Sequence, residues 1–424
     1  MIRLKNLLLT VFKNVTRSIA FYPSLIAIFL AFLAFFTLFL EQYGYTEIVY
    51  EKLSFLVIYD IDTARTLLSV LIGSTISLTV FSFSMVMILL NQAASYFSPR
   101  LLPGLISNKS HQIVLGFYLG TIAYCLLILI NISQKPESNF PGFAVLLAMV
   151  LGLTCMGLFV YFIHSISTSI QASNVLRRIY DDTKKDIQDL LNESNEEPDD
   201  VKASDIDISE TCLVSNQTGY LQNIQSQSLL ELAVNHDFKL KMDVARGMFV
   251  MEQVPIAYLS KSLDDDMKSE ILSCFSFSTR ELVRENYVLG FKQITEIAVK
   301  AMSPGINDPG TALIAIDYLT ELFADRMKVK DQEVLFDKNG TARILFDTVK
   351  FRDLLYNVFA SLRQYSKHDV VIVQKLLVML KFLSYQKGLS KYKDAIKQEI
   401  ENLMEDAKSA IANKHDLKVI ENLA

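Results

Sequence analysis

The chain has no tryptophan, only four cysteines, and five histidines among its 424 residues. Cysteine this sparse, with no C-x-x-C pair, excludes a disulfide framework and a zinc ribbon. His111, His164, His236, His368 and His415 form no ligand spacing such as H-x-x-x-H. G-x-S-x-G, Walker A and G-x-G-x-x-G runs are missing as well. The sequence therefore calls for no metal and no cofactor, and no nucleophile–base pair marks an enzyme. A net charge of −5 argues against nucleic acid as a partner.

The most telling absence is charge inside four apolar runs. Residues 21–40, 66–90, 113–130 and 143–163 contain no Asp, Glu, Lys, Arg or His. Crossing a bilayer takes about 20 helical residues, so each run predicts a span. Lys and Arg alternate between the loops. Arg3, Lys5, Lys13 and Arg17 precede the first span, while the loop 41–65 has Lys52 and Arg65 against five acids. Arg100 and Lys109 lie in the second loop, Lys135 alone in the third, and Arg177, Arg178, Lys184 and Lys185 after the fourth span. The positive-inside rule then places both termini in the cytoplasm. The missing intramembrane charge also argues against a voltage sensor or an ion-coupled proton relay.

The second span carries more hydroxyls than the others. At about 100° per residue, Ser69, Gly73, Ser77 and Ser84 share one face, which Asn91 continues. Thr75, Thr79 and Ser82 form a second strip. Small residues at this spacing let helices approach closely in lipid, and hydroxyls can also line a pore. The two strips predict one face against a neighbour and one toward a lumen. Arg65, Arg100, His111 and His164 fall at predicted span ends, where they serve as interfacial anchors.

Beyond the membrane the expectation is an α+β region. A cytoplasmic arm (1–20) and the transmembrane domain (21–164) lead into a juxtamembrane helix and an acidic linker (165–210). A small barrel-like or sandwich-like β subdomain (211–260) follows, then a mostly helical subdomain (261–424) with a hairpin at 334–346. An amphipathic helix (287–302) and an apolar helix (312–327) flank the run Ser303-Pro304-Gly305-Ile306-Asn307-Asp308-Pro309-Gly310-Thr311-Ala312. Asp308 is placed as an N-cap with Pro309 at the first helical position. The free amides of that helix end suit an anion or small ligand, with Arg280 and Arg284 as added positive charge.

Three segments carry a resemblance. Residues 62–69 (DTARTLLS), residues 97–102 (FSPRLL) and the S-P-G-x-N-D-P-x-T-A run together resemble a bacterial "predicted membrane protein" family classed as a domain of unknown function. The resemblance covers roughly residues 10–385. It implies a multi-pass inner-membrane protein with about four spans and a long C-terminal cytoplasmic region, and it carries over no catalytic residue. The leading functional expectation is an oligomeric channel or channel-like pore, lined by the second span and gated by the cytoplasmic domain. The alternative is a membrane-anchored sensor or assembly scaffold for a cytoplasmic ligand or partner. The first predicts a homo-oligomer, since four spans are few for a transporter acting alone, and both predict contact with the lipid bilayer.

Overall fold

The computed structural model describes residues 20–43, 58, 60–96, 109–134, 141–169, 171–194, 211–278, 286–386 and 390–423. The chain divides into two compact units, 1–174 and 175–424. Arg100, Arg280, Arg284, most of the N-terminal arm and most of the acidic linker lie outside the described residues.

The first unit contains α1 (Phe21–Gln42), α2 (Ile61–Tyr96), α3 (Lys109–Gln134) and α4 (Gly142–Ser169). All four are long and apolar enough to cross a membrane. Each outruns its apolar core, because helical hydrogen bonding continues past the point where hydrophobicity stops. Asp60 shows how one end is set. Its carboxylate accepts from Thr63 N at 2.8 Å, starting α2 a turn and a half before the apolar run.

The helices alternate in direction. Gly116 and Gly120 of α3 meet α1: a Cβ at Gly116 would lie 3.0 Å from Pro23 Cα, and one at Gly120 2.5 Å from Leu30 Cδ1. This Gly-x-x-x-Gly pair lets two helices approach closely, as small residues do in lipid. Gly152 of α4 meets Leu71 of α2 in the same way. At the far end Glu41 Oε1 accepts from Phe143 N (2.6 Å) and Ala144 N (3.1 Å), so the end of α1 caps the start of α4.

The second unit begins with α5 (Ala172–Ser194). The single helix expected across 165–192 is two helices, α4 and α5. Strands β1 (Thr211–Val214), β5 (Pro255–Leu259) and β3 (Leu240–Met242) follow in space with β8 (Ala342–Asp347) and β7 (Gln332–Phe336), making a five-stranded sheet. A three-stranded sheet is ordered β4 (Phe249–Val250), β2 (Gly219–Ile224), β6 (Phe275–Ser278). The two sheets share one core with α6 (Ser226–Asn235) and α7 (Asp265–Ser273), including Leu221, Phe238, Leu240, Ile256, Leu259 and Ile344. Both strand orders are open at their ends, so a closed barrel does not form among the described residues. The hairpin predicted at 334–346 supplies two of the five strands, through parallel pairing of β8 with β3. That long-range pairing has no local sequence signal.

The helical part comprises α8 (Tyr287–Ala301), α9 (Pro309–Arg326), α10 (Phe351–Ser366), α11 (Val370–Ser384), α12 (Lys393–Ala410) and α13 (Lys414–Glu421). Helix α5 docks on it without a gap. Thr183 sits against Gly290 of α8, where a Cβ would fall 1.8 Å from Thr183 Oγ1. Tyr180 stacks on Tyr318 at 4.5 Å, and Lys184 pairs with Glu321. The Glu321 carboxylate holds the Lys184 ammonium above its ordinary range, and Lys184 holds Glu321 below its own.

Candidate functional site

The two hydroxyl strips of α2 part company in the structure. Thr75 and Ser82 are buried against the other helices and Thr79 is half-buried. Ser69, Gly73, Ser77, Ser84 and Asn91 are exposed. One strip thus faces the bundle and the other faces out. On the outward strip Ser77 Oγ donates to Gly73 O (2.9 Å) and Ser84 Oγ to Val80 O (2.9 Å). These hydroxyls are satisfied by their own helix and can stand in an apolar setting. Gly73 has nothing within 4 Å of where a Cβ would be.

The interfacial residues do not form one group. His111 Nε2 lies 3.3 Å from Ser165 Oγ and its ring meets Phe162 edge-on at 5.4 Å. His164, next to Ser165 in the chain, points outward and is exposed. The two histidines are thus held apart by the helical turn of α4. Arg65 pairs with Asp62 at 3.6 Å on the surface, an interaction of little energetic weight.

The S-P-G-x-N-D-P corner is a tight connection between α8 and α9. Asp308 caps α9 as the sequence predicts: Oδ1 accepts from Thr311 N at 3.1 Å and Oδ2 from Thr311 Oγ1 at 2.6 Å. Pro309 fills the first turn, where its missing N–H costs nothing. Asp308 N donates back to Ala301 O at 2.8 Å, and Asn307 is held at φ +48°. Ser303 closes the preceding helix, its hydroxyl donating to Lys300 O. Pro304, Gly305, Asn307 and Pro309 are exposed. The amides expected to receive an anion thus face a carboxylate of the same chain.

Three arrangements escaped the sequence reading. Gly116-x-x-x-Gly120 is a recognisable motif and marks a close helix contact of the bundle. Tyr124 Oη donates to Ala144 O (3.1 Å) and lies 3.1 Å from Thr37 Oγ1, tying α1, α3 and α4 together. Arg326 is fully buried and donates to Tyr287 Oη, Val329 O, Asp331 and Val349 O at 2.7–3.0 Å. A lone arginine in an amphipathic helix gives no sign of such a role.

The chain is similar to the uncharacterized protein Mb1321c of Mycobacterium bovis and the uncharacterized protein Rv1290c of Mycobacterium tuberculosis. Each is 22% identical over 369 residues, covering 84% of this chain and 70% of the relative. No solved structure matches it. The family model "Predicted membrane protein (DUF2254)" matches residues 16–381. With its four membrane-capable helices and nearly its whole length matched, the chain belongs to the DUF2254 family of predicted membrane proteins.

Proposed function

We propose that the protein is a homo-oligomeric, channel-like assembly of the inner membrane, with both termini cytoplasmic and the outward strip of α2 meeting other copies or a shared lumen. One observation carries this reading. Helix α2 is the least apolar of the four, yet only 11% of its most apolar stretch is buried within its own chain, against 44% in α3 and 39% in α4. A helix left facing lipid is normally the most apolar of a bundle, because hydroxyls and glycine gain nothing from hydrocarbon. The exposed Ser69–Gly73–Ser77 face fits protein or water better than acyl chains. The second unit would form the gating or vestibule part.

Two measurements test this. Single-particle imaging of purified protein should show a symmetric ring with α2 toward its axis. Reconstituted liposomes should pass an ion or small solute, and Ser77→Leu should reduce that flux. A monomer, or tight liposomes at every potential and tension, would sink the reading.

The alternative sensor or scaffold reading draws on the S-P-G-x-N-D-P corner. Its prolines and Asn307 are exposed on a rigid turn that the fold itself does not cover. That reading expects Ser77→Leu to be silent and Asn307→Ala to abolish binding of a cytoplasmic partner.

A further inference from the structure

The inward strip of α2 holds an exception. Along α2 the hydroxyls of Ser74, Thr75, Ser77, Thr79 and Ser84 each donate to a carbonyl three or four residues back, at 2.7–3.1 Å. This is the usual way a hydroxyl is satisfied inside a membrane helix. Ser82 does otherwise. It is 3% exposed, and its Oγ has no hydrogen-bond partner among the described residues. Its hydroxyl is turned to the Tyr118 side chain of α3, which is fully buried and whose Oη is likewise without a partner. The two hydroxyls lie close enough to interact, and neither is placed for a well-formed hydrogen bond to the other.

The surroundings are polar on the third side too. Cys155 of α4 neighbours Tyr118, and its Sγ lies 3.3 Å from Thr121 Oγ1, one turn along α3 from Tyr118. Ser82, Tyr118, Thr121 and Cys155 thus bring four polar side chains from three helices to one place. Six residues from Tyr118 toward the Lys109 end of α3, roughly 9 Å at 1.5 Å per residue, Gln112 is 6% exposed and its Oε1 is also unpartnered.

Leaving a hydroxyl unpaired in a water-free interior carries a large free-energy cost. Two such hydroxyls facing each other would each bear that cost, and a single back-bond of Ser82 would remove half of it. A molecule that donates and accepts at once satisfies both, and water is the smallest that does. We propose that Ser82 and Tyr118 bind an ordered water inside each bundle, beside the Thr121–Cys155 contact, supplied from the end that carries Gln112. This site lies within one chain. It is separate from any lumen between copies and does not depend on the channel reading.

Tyr124 provides an internal control. It sits on the same helix and is equally buried, but its hydroxyl has protein partners in Ala144 O and Thr37. Hydroxyl-radical footprinting of the full-length protein, reconstituted in lipid, tests the difference, because radicals form from water and attack side chains beside it. The expected result is oxidation of Tyr118 several-fold faster than of Tyr124. Ser82→Ala should bring Tyr118 down to the Tyr124 rate, with Tyr124 itself unchanged as the sign that the bundle is intact. Equal rates for the two tyrosines in the native protein would overturn the proposal. So would a Tyr118 rate that Ser82→Ala leaves unaltered while Tyr124 stays protected.

Discussion

The two units handle buried polar groups in opposite ways. In the bundle, most hydroxyls of α2 bond to their own helix, and close packing rests on glycine. In the second unit, charged side chains gather several partners each: Arg326 has four, Arg343 bridges Asp237 and Asp337, and Arg363 lies between Glu399 and Asp406. Solvent explains the difference. Water reaches the rim of the second unit and can hydrate the far side of an ion pair. Hydrocarbon cannot, so polar groups there must be met within a turn or by a neighbour in contact. The bundle is therefore sensitive to volume, and the second unit to charge.

The largest effect expected from this contrast is at Arg326. Arg326→Met keeps most of the volume but leaves Tyr287 Oη and the carbonyls of Val329 and Val349 without their donor. Removing one member of such a buried network costs about 3–5 kcal/mol. The unfolding transition of the second unit, followed by circular dichroism because the chain has no tryptophan, should move down steeply or be lost. A shift within error would break the comparison.

The bundle's counterpart is a pair of glycines. Gly120→Leu drives a side chain into Leu30, already 2.5 Å from the site of the Cβ. Overpacking of this kind costs about 1–3 kcal/mol and should lower the melting temperature in detergent. Gly73→Leu enters open space on the outward face. It should leave the melting temperature of a protomer alone and change only the size of the particle. Equal losses from both would show that the outward face is packed within the protomer after all.

How much of this was legible depends on whether the signal is local. The four apolar helices follow from uninterrupted runs without charge, and the Asp308–Pro309 cap from two adjacent residues whose preferences are short-ranged. The strand Thr211–Val214 and the turn at Asn339-Gly340 are local too, with Gly340 at φ +79°. What stayed hidden depends on distance in the chain. Strand β8 pairs with β3 about a hundred residues earlier, which makes one five-stranded sheet out of what read as separate pieces. Helical periodicity separates the two strips of α2 but cannot say which one faces inward. That choice is made by Tyr118 and Leu71-to-Gly152 contacts on other helices.

Among the carboxylates that cap helix N-termini, Glu41 in the first unit and Asp308 in the second extend the contrast. Glu41 holds two amides of α4 and Asp308 holds Thr311. A charge-assisted bond in a drier place is worth more, about 1.5–3 kcal/mol, than an N-cap at a surface corner, about 1 kcal/mol. Glu41→Gln should therefore cost more than Asp308→Ala in thermal unfolding of the respective units. The reverse order would mean that the Glu41 end of the bundle is as wet as the corner.

The smallest effect is the one whose sign says most. Glu399 is 3% exposed, and burial raises its pKa above the ordinary glutamate value, with Asp406 adding to the rise. Arg363, 3.4 Å away, and Asn402, donating at 3.1 Å, oppose that rise without cancelling it. The folded chain therefore holds this proton more tightly than the unfolded chain does. The stability this supplies is complete below the ordinary glutamate pKa and is lost as pH rises through the raised one. Glu399→Gln is neutral at every pH and leaves Arg363 its 2.6 Å partner Asp406. Its melting temperature should exceed that of the native protein slightly near pH ~8, and the gain should vanish toward pH ~4. A loss at every pH would mean that the Arg363–Glu399 attraction outweighs desolvation. The second unit would then tolerate buried charge more freely than its burial implies, and the contrast with the bundle would be wider still.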